Sequence, residues 1–311
     1  MAVVLVTGAS GFLGRHALTA LRSGGHEVHG LSRRPPADDA CIWHIADMLD
    51  ADAVARLIRS LRPSHLLHLA WVMEHGRYWT SPENVRWVEA TLHLARQFEA
   101  AGGRRFVGAG TCAEYTWDDA ILGGRAIDEQ RTPRAPDHIY GIAKNAAFEL
   151  LAAYSRAAGF AFAWGRLFFP YGPDRPTMLI PEIVTALRGG RPALCTHGRQ
   201  RRDFIHVSDA AAAFAAMLDS EVSGAVNVGT GTATTIADVA TRLGHLLGHP
   251  ELVKLDARAA RPGEPQCLVA DVGRLRDEVG FVAKIALDDG LRATIASLSG
   301  ARDDIPGRPQ S

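Results

Sequence analysis

Tyr140 and Lys144 stand four residues apart in Tyr140-Gly-Ile-Ala-Lys144. On a helix that spacing sets a phenol and an ammonium on one face, a pair able to hold and move a proton. Such pairs also arise on plain amphipathic turns. This one gains meaning from a third group, Thr111, which follows the apolar strand pattern Arg105-Phe-Val-Gly-Ala109. In open α/β sheets the carboxyl ends of strands are where ligands bind. A second constellation opens the chain: the β-branched run Val3 to Val6, then Gly8, Gly11 and Gly14 ahead of a helical pattern. The order is strand, tight turn, helix N-terminus. Glycine removes the Cβ where a pyrophosphate must approach, and the first N–H groups and the dipole of the helix face the anion. The spacing is G-x-x-G-x-x-G, not the usual G-x-G-x-x-G dinucleotide fingerprint.

These residues need a scaffold, and strand and helix patterns alternate through the first half. Phe12, Leu13, Ala17, Leu18 and Leu21 recur at helical spacing up to Gly24-Gly25, and Val28 to Leu31 begins a second strand. In a β-α-β unit an acid at the end of strand two would bond the adenosine ribose, whereas a 2′-phosphate needs the acid absent and an Arg nearby. Here the strand ends Leu31-Ser32-Arg33-Arg34, which favours NADP(H) over NAD(H); the bland alternative is a solvated basic turn. Ile42 to Ile45 reads as strand three, with Asp47 at the adenine edge, and Asp50 as the N-cap of a helix that Pro63 closes. His65 to Ala70 is strand four. Its His65 and His68 lie on opposite faces, and with His75 they find no carboxylate or Cys to complete a metal set, so no metal is expected. A helix runs from Ser81-Pro82 to Gly102-Gly103. A polar insertion, Thr116 to Asp137, leads to the Tyr140 helix, and Phe160 to Arg166 is strand six.

Beyond Arg166 the alternation loosens. Residues 1–166 read as a dinucleotide-binding domain and 167–311 as mainly substrate-binding, with some segments free to return to the first sheet. The fold class expected is α/β, a Rossmann-type doubly wound parallel sheet with a smaller mixed α/β substrate-binding domain. The tail from Asp303 is expected to fray.

Lys plus Arg and Asp plus Glu number 34 each, so no overall field draws the chain to nucleic acid or an anionic membrane. Charge-poor stretches end at Arg or Asp within about 15 residues, short of the ~20 needed to span a bilayer. Cys41, Cys112, Cys195 and Cys267 form no C-x-x-C pair, and the first strand begins at once with no basic, cleavable leader. The reading is free thiols and a cytoplasmic location.

In order along the chain stand Gly8/Gly11/Gly14, Asp47, His68-Leu-Ala70, Thr111, Tyr140-x-x-x-Lys144, Arg166 with Tyr171-Gly-Pro173, Arg202-Asp-Phe-Ile-His-Val-Ser-Asp209, Asn227-Val-Gly229 and Arg261-Pro-Gly263. With these the chain resembles, over nearly its whole length, the extended short-chain dehydrogenase/reductases of the NAD(P)-dependent nucleotide-sugar epimerase/dehydratase group. The resemblance implies that Tyr140 exchanges a proton with a sugar hydroxyl or carbonyl while hydride moves to or from a nicotinamide. Lys144 would lower the phenol pKa and hold the nicotinamide ribose, and Thr111 would bond the same substrate oxygen. It also implies a cofactor site of Gly8, Ser10, Gly11, Phe12, Leu13, Gly14, Ser32, Arg33, Arg34, Asp47, Met48, Leu69, Ala70, Trp71, Asn84, Tyr140, Lys144 and Phe168. Thr111, Cys112, Phe169, Arg202 and Arg261 would meet the substrate, the two arginines at the diphosphate or nucleoside. A homodimer through the helix after Ser81 and the Tyr140 helix is implied as well.

The sequence departs from the family pattern at one telling place. Dehydratases of the group carry an Asp-Glu pair after the catalytic Thr, where this chain has Cys112 and Ala113. Glu114 is one residue out of register and is expected to point to the other face. A 4,6-dehydratase therefore ranks third. A 4-epimerase that retains NAD is second, and Phe169 stands where such enzymes often carry Asn. First is an NADP(H)-dependent reductase of the keto group, at C4, of a nucleotide-activated deoxysugar. A dinucleotide-sensing regulatory protein on the same fold is the non-enzyme alternative.

Overall fold

The computed structural model describes residues 1–74, 76–173 and 178–300. His75 and the tail after Gly300 lie outside the described residues. The first half runs β1 (Val3–Thr7), α1 (Phe12–Ser23), β2 (Glu27–Ser32), β3 (Ile42–Ile45), α2 (Ala51–Leu61), β4 (His65–His68), α3 (Glu83–Ala100), β5 (Arg105–Thr111), the short α4 (Asp119–Leu122), α5 (Ile139–Ala158) and β6 (Ala161–Leu167). There follow β7 (Phe169–Tyr171), α6 (Leu179–Arg188), β8 (Ala193–Leu194), β9 (Arg201–Arg202), β10 (Phe204–His206), α7 (Val207–Asp219), β11 (Gly224–Val228), β12 (Thr234–Thr235) and α8 (Ile236–Leu247). The chain closes with β13 (Val253–Lys254), β14 (Cys267–Leu268), α9 (Gly273–Asp277) and α10 (Leu287–Gly300).

One parallel sheet of seven strands, in the order β11-β6-β5-β4-β1-β2-β3, carries the molecule. β1 pairs with β2 on one side and β4 on the other, so the strand order reverses beside it. That reversal opens the crevice in which doubly wound sheets bind ligands. β1 and β5 are apolar without alternation because helices cover both faces of the sheet, and Val4, Leu5, Val6, Phe106 and Val107 are fully buried. The Rossmann-type fold read from the sequence is present. The helix begun at Asp50 is capped as expected, its carboxylate accepting from the Ala53 N–H at 3.0 Å.

Beyond Arg166, α7 and β11 lie with the first sheet. α7 packs on the same layer as α1, with Ala210, Ala211, Phe214 and Met217 against Ala17, Leu18 and Leu21 in one core. Gly165 in β6 makes the room, since a Cβ there would run into the Phe214 ring. β11 then adds to the sheet edge, parallel to β6. What remains forms the smaller lobe. Its strands are two or three residues long, and α6, α8 and α10 share a separate core around Ile183, Val184, Leu187, Leu243 and Leu291.

Asp203 and Asp209 tie this lobe together. Asp203 is buried and accepts from the Thr230 N–H at 2.7 Å, the Thr230 hydroxyl at 2.6 Å, the Gly231 N–H at 2.9 Å and the Ala270 N–H at 3.1 Å. Asp209 accepts from the backbone N–H groups of Lys284 and Ile285 at 2.9 and 2.7 Å. Two acids within the Arg202 to Asp209 motif thus replace an extended sheet with charge-assisted bonds to loop backbone.

Candidate active site

The glycine turn behaves as its composition requires. Gly8 has φ +71°, and a Cβ on it would stand 2.8 Å from the Ala70 amide nitrogen. Gly11 is the N-cap of α1, and no side chain caps that helix. Its first N–H groups open onto a cleft of about 590 Å³ lined by Gly8, Ser10, Gly11, Leu31, Ser32, Arg33, Arg34, Asp47, Met48, Ala70 and Trp71. A backbone cradle that only glycine can form, below an uncapped helix end, fits a dinucleotide pyrophosphate.

At the end of β2 stands Ser32, which bonds the Ser10 hydroxyl at 2.8 Å, and the acid in this cleft's lining is Asp47. Arg33 is mostly exposed. Its contact with Asp47, at 3.9 Å, is an open surface pair of small energy, which leaves the guanidinium available to a phosphate.

A second cleft of about 550 Å³ adjoins the first, sharing Gly8, Gly11, Ala70 and Trp71. Phe12, Leu13, Gly14, Leu69, Thr111, Cys112, Tyr140, Lys144, Phe168 and Phe169 line it, so β5, α5 and the turn after β6 deliver their expected residues to one place. Of the residues expected at the cofactor, Asn84 alone lines neither cleft. It is fully buried behind Trp71, accepting from the indole N–H at 2.8 Å and donating to the carbonyls of Tyr78 and Ser81. Its side-chain amide is thus engaged by Trp71 and two carbonyls.

Tyr140 is buried, and burial pushes its phenol pKa well above the ordinary value of about 10; the neighbouring Thr111 hydroxyl pulls the other way and Tyr78 adds to the rise. Lys144, expected to lower that pKa, donates from its Nζ to the Ala109 carbonyl at 2.7 Å and lies 3.8 Å from the centre of the Trp71 ring. Burial brings Lys144 itself down to about 7, with Glu114 opposing the fall. Burial thus favours the protonated phenol beside Thr111.

Glu114 does point away from the cleft. It is fully buried and accepts from the Thr111 N–H at 2.9 Å, the Trp164 indole at 2.9 Å and the Arg166 guanidinium at 2.7 Å. The Thr111 side chain in turn accepts from the Ala113 N–H at 3.2 Å, closing a capping box on the turn after β5. Cys112 lines the cleft, but burial pushes its thiol up to about 12, too high to serve as a base near neutral pH.

The two arginines expected at a substrate diphosphate are not brought to the Tyr140 cleft. Arg202 lines an adjoining apolar cavity of about 220 Å³ with Phe169, Pro170, Phe204 and Ile180. Its guanidinium is engaged by Glu264 at 2.9 Å and the Pro265 carbonyl at 2.9 Å. Arg261 is exposed and lines none of these cavities.

Conversely, Met73, Tyr78, Trp79, Trp117 and Met178 line the Tyr140 cleft without having been singled out. Tyr78 and Trp79 just ahead of the Ser81-Pro82 helix start, and Trp117 within the polar insertion, were the readable signal: large aromatic residues in loops that need no core.

Among the described residues no group of three or more His, Cys, Asp or Glu side chains is gathered to hold a metal ion, and no helix is long and apolar enough to cross a membrane. His68 has another use. It is fully buried between the Thr7 hydroxyl at 2.7 Å and the Thr91 hydroxyl at 2.9 Å, and burial holds its pKa at about 3.

Residues 4–229 match the model of the NAD dependent epimerase/dehydratase family. A 3-diazoavenalumate denitrifying reductase from Streptomyces sp is 33% identical over 240 residues, covering 72% of this chain and 75% of the relative. The UDP-glucose 4-epimerase of Rhizobium leguminosarum bv. trifolii is 27% identical, covering 93% of this chain and 95% of the relative. Among solved structures, MoeE5 in complex with UDP-glucuronic acid and NAD superposes with a TM-score of 0.82 at 31% identity, covering 96% of this chain and 99% of that one. The Thermus thermophilus UDP-glucose 4-epimerase complex with NAD gives a TM-score of 0.83 at 25% identity, with the same coverage of both chains. Sheet order, glycine cradle, Tyr140 cleft and these matches agree: the chain belongs to the NAD dependent epimerase/dehydratase family, as an enzyme of the extended short-chain dehydrogenase/reductase class.

Proposed function

We propose that this enzyme is an NADP(H)-dependent reductase of a keto group, at C4, on a nucleotide-activated deoxysugar. The observation that carries the reading is the Tyr140 phenol, buried beside Thr111 in a cleft continuous with the glycine cradle. A phenol in that place can give its proton to a carbonyl oxygen as the carbon is reduced. Thr111 orients that oxygen. Lys144 holds the floor of the cleft through Ala109 and Trp71.

Gly8, Gly11 and Gly14 would hold the pyrophosphate, Ser32, Arg33 and Arg34 an adenosine 2′-phosphate, Asp47 and Met48 the adenine, and Leu69, Ala70, Trp71 and Phe168 would serve the nicotinamide. When bound and reduced it supplies hydride, so carbonyl plus hydride plus the Tyr140 proton gives an alcohol. The nucleotide-sugar part of the reading is supported by relatives whose names carry UDP-glucose and UDP-glucuronic acid. The 220 Å³ apolar cavity beside Arg202 offers a slot for a base, and a diphosphate there would compete with Glu264 for the guanidinium. The reductase among the relatives supports the direction of reaction.

A 4-epimerase with retained NAD is the second reading, favoured by the NAD named in the solved neighbours. A homodimer through α3 and α5, on which Val85, Ile142 and Leu150 are about half exposed, and a cytoplasmic setting complete the proposal. Releasing and identifying any nucleotide carried through purification, then titrating NADPH and NADH, tests it. Protein that is empty or holds NADP, and binds NADPH at least tenfold tighter, is the expected result. Stoichiometric NAD would transfer the assignment to the epimerase.

A further inference from the structure

The wall facing Tyr140 is aromatic. Trp79 is its centre, with its ring 5.5 Å from that of Tyr140, 4.9 Å from Tyr78 and 5.7 Å from Trp117. Phe168, Phe169 and Met178 continue the lining. Trp117 donates its indole N–H to the Cys112 carbonyl at 3.0 Å, which leaves its ring to the cleft.

Among the described residues of this cleft none carries a carboxylate, a carboxamide or a guanidinium. The side-chain groups able to meet a hydroxyl are the phenols of Tyr78 and Tyr140, the edge N–H of the Trp79 indole, Thr111, the Cys112 thiol and Lys144, and the last is turned to Ala109. Tyr140 and Thr111 serve the reacting oxygen. A fully hydroxylated hexose would then bring hydroxyl groups against ring faces, each losing its water at a cost when left unpartnered. C–H and methyl groups against the same rings gain instead.

Position matters as well as polarity. With the keto group at C4 held by Tyr140 and Thr111, its neighbours C3 and C5 flank the reacting carbon. C5 bears the methyl of a 6-deoxysugar, and C3 ordinarily bears a hydroxyl.

We propose that the Trp79 and Trp117 wall selects a sugar deoxygenated at C3 as well as C6, so that the carbonyl is flanked by methylene on one side and a methyl-bearing carbon on the other. This rests on the reading of the chain as a keto-sugar reductase and narrows its substrate.

The test measures kcat/KM with NADPH for a 4-keto-6-deoxyhexose and a 4-keto-3,6-dideoxyhexose, each supplied as its UDP-, dTDP- and GDP-linked form. NADPH affinity is followed separately by fluorescence. The dideoxy compound is expected to be favoured at least tenfold. Trp117→Ala should bring the ratio below threefold, mainly through KM, while Trp117→Phe keeps it and both retain wild-type NADPH affinity. If Trp117→Ala fails to bind NADPH, the wild-type and Trp117→Phe ratios decide. Equal or better use of the 6-deoxy compound overturns the inference and leaves the reductase standing. Turnover of neither compound by protein that binds NADPH overturns both.

Discussion

The two ends of the cleft are held by different kinds of structure. At the dinucleotide end, main-chain geometry sets the site: a positive φ at Gly8, an uncapped α1, and strand ends of one parallel sheet in register. At the substrate end the strands are two or three residues long, and side-chain partnerships decide what is presented. Arg202 is turned to Glu264, Lys144 to Ala109, and Trp117 to the Cys112 carbonyl. Backbone geometry ties the first end to binding a common cofactor, whereas side-chain pairing lets the second change its substrate without disturbing the fold.

Breaking the chemistry should have the largest effect. Tyr140→Phe is expected to cut kcat by about 10²–10⁴-fold while NADPH affinity changes less than twofold, read by steady-state kinetics and fluorescence titration. A parallel loss of cofactor affinity would place Tyr140 in binding instead. Next is the anchor beneath Thr111. Glu114→Ala leaves the Arg166 guanidinium buried without its carboxylate, and urea unfolding should show a loss of about 3–5 kcal/mol.

A pH experiment probes the same rigid end. His68 is held at about 3 in the folded chain against an ordinary value of 6.5. Between pH 6.5 and 3 the unfolded chain binds the extra proton, so stability falls as pH is lowered through that window and is unaffected by this group above it. At pH 5 the loss is about 2 kcal/mol, and His68→Gln should remove that part of the difference between unfolding curves at pH 7 and 5.

Arg33→Ala with Arg34→Ala should weaken NADPH about tenfold, about 1.4 kcal/mol, and leave NADH unchanged. Equal effects on both would show that the pair does not read a 2′-phosphate. The smallest effect belongs to the substrate end. Glu264→Ala removes the carboxylate from the buried Arg202 guanidinium and frees it, so UDP or dTDP affinity should rise a few-fold by calorimetry. Weaker binding would mean that Glu264 holds Arg202 in its working pose.

The same contrast explains what could be read from residues alone. Val3 to Val6, the glycine triplet and Asp50 act locally, through β-propensity, φ and a cap, and each stands where its type required. Ser32, Arg33, Arg34, Asp47 and Met48 reach one cleft because β2 and β3 are neighbours in a regular sheet. The turn of Glu114 to the inner face follows from a one-residue shift in register.

Partnerships between residues far apart in the chain left no such signal. Nothing near Arg202 announces Glu264, sixty-two positions on. Nothing near Asn84 shows that its amide is consumed by Trp71 and two carbonyls. Trp117 sits in a stretch polar enough to pass for an outer loop, and only folding sets it against Trp79.

The most direct measurement follows the hydride. The enzyme is incubated with NADPH deuterated at C4 of the nicotinamide and a 4-keto-6-deoxy or 4-keto-3,6-dideoxy nucleotide sugar or, in parallel, UDP-glucose, which bears no keto group, and the product is examined by mass spectrometry and NMR. The reductase account predicts one deuterium at the former carbonyl carbon and one NADPH consumed per product. An unlabelled product inverted at C4 from a nucleotide sugar bearing no keto group, formed with retained NAD and without NADPH consumption, would contradict it.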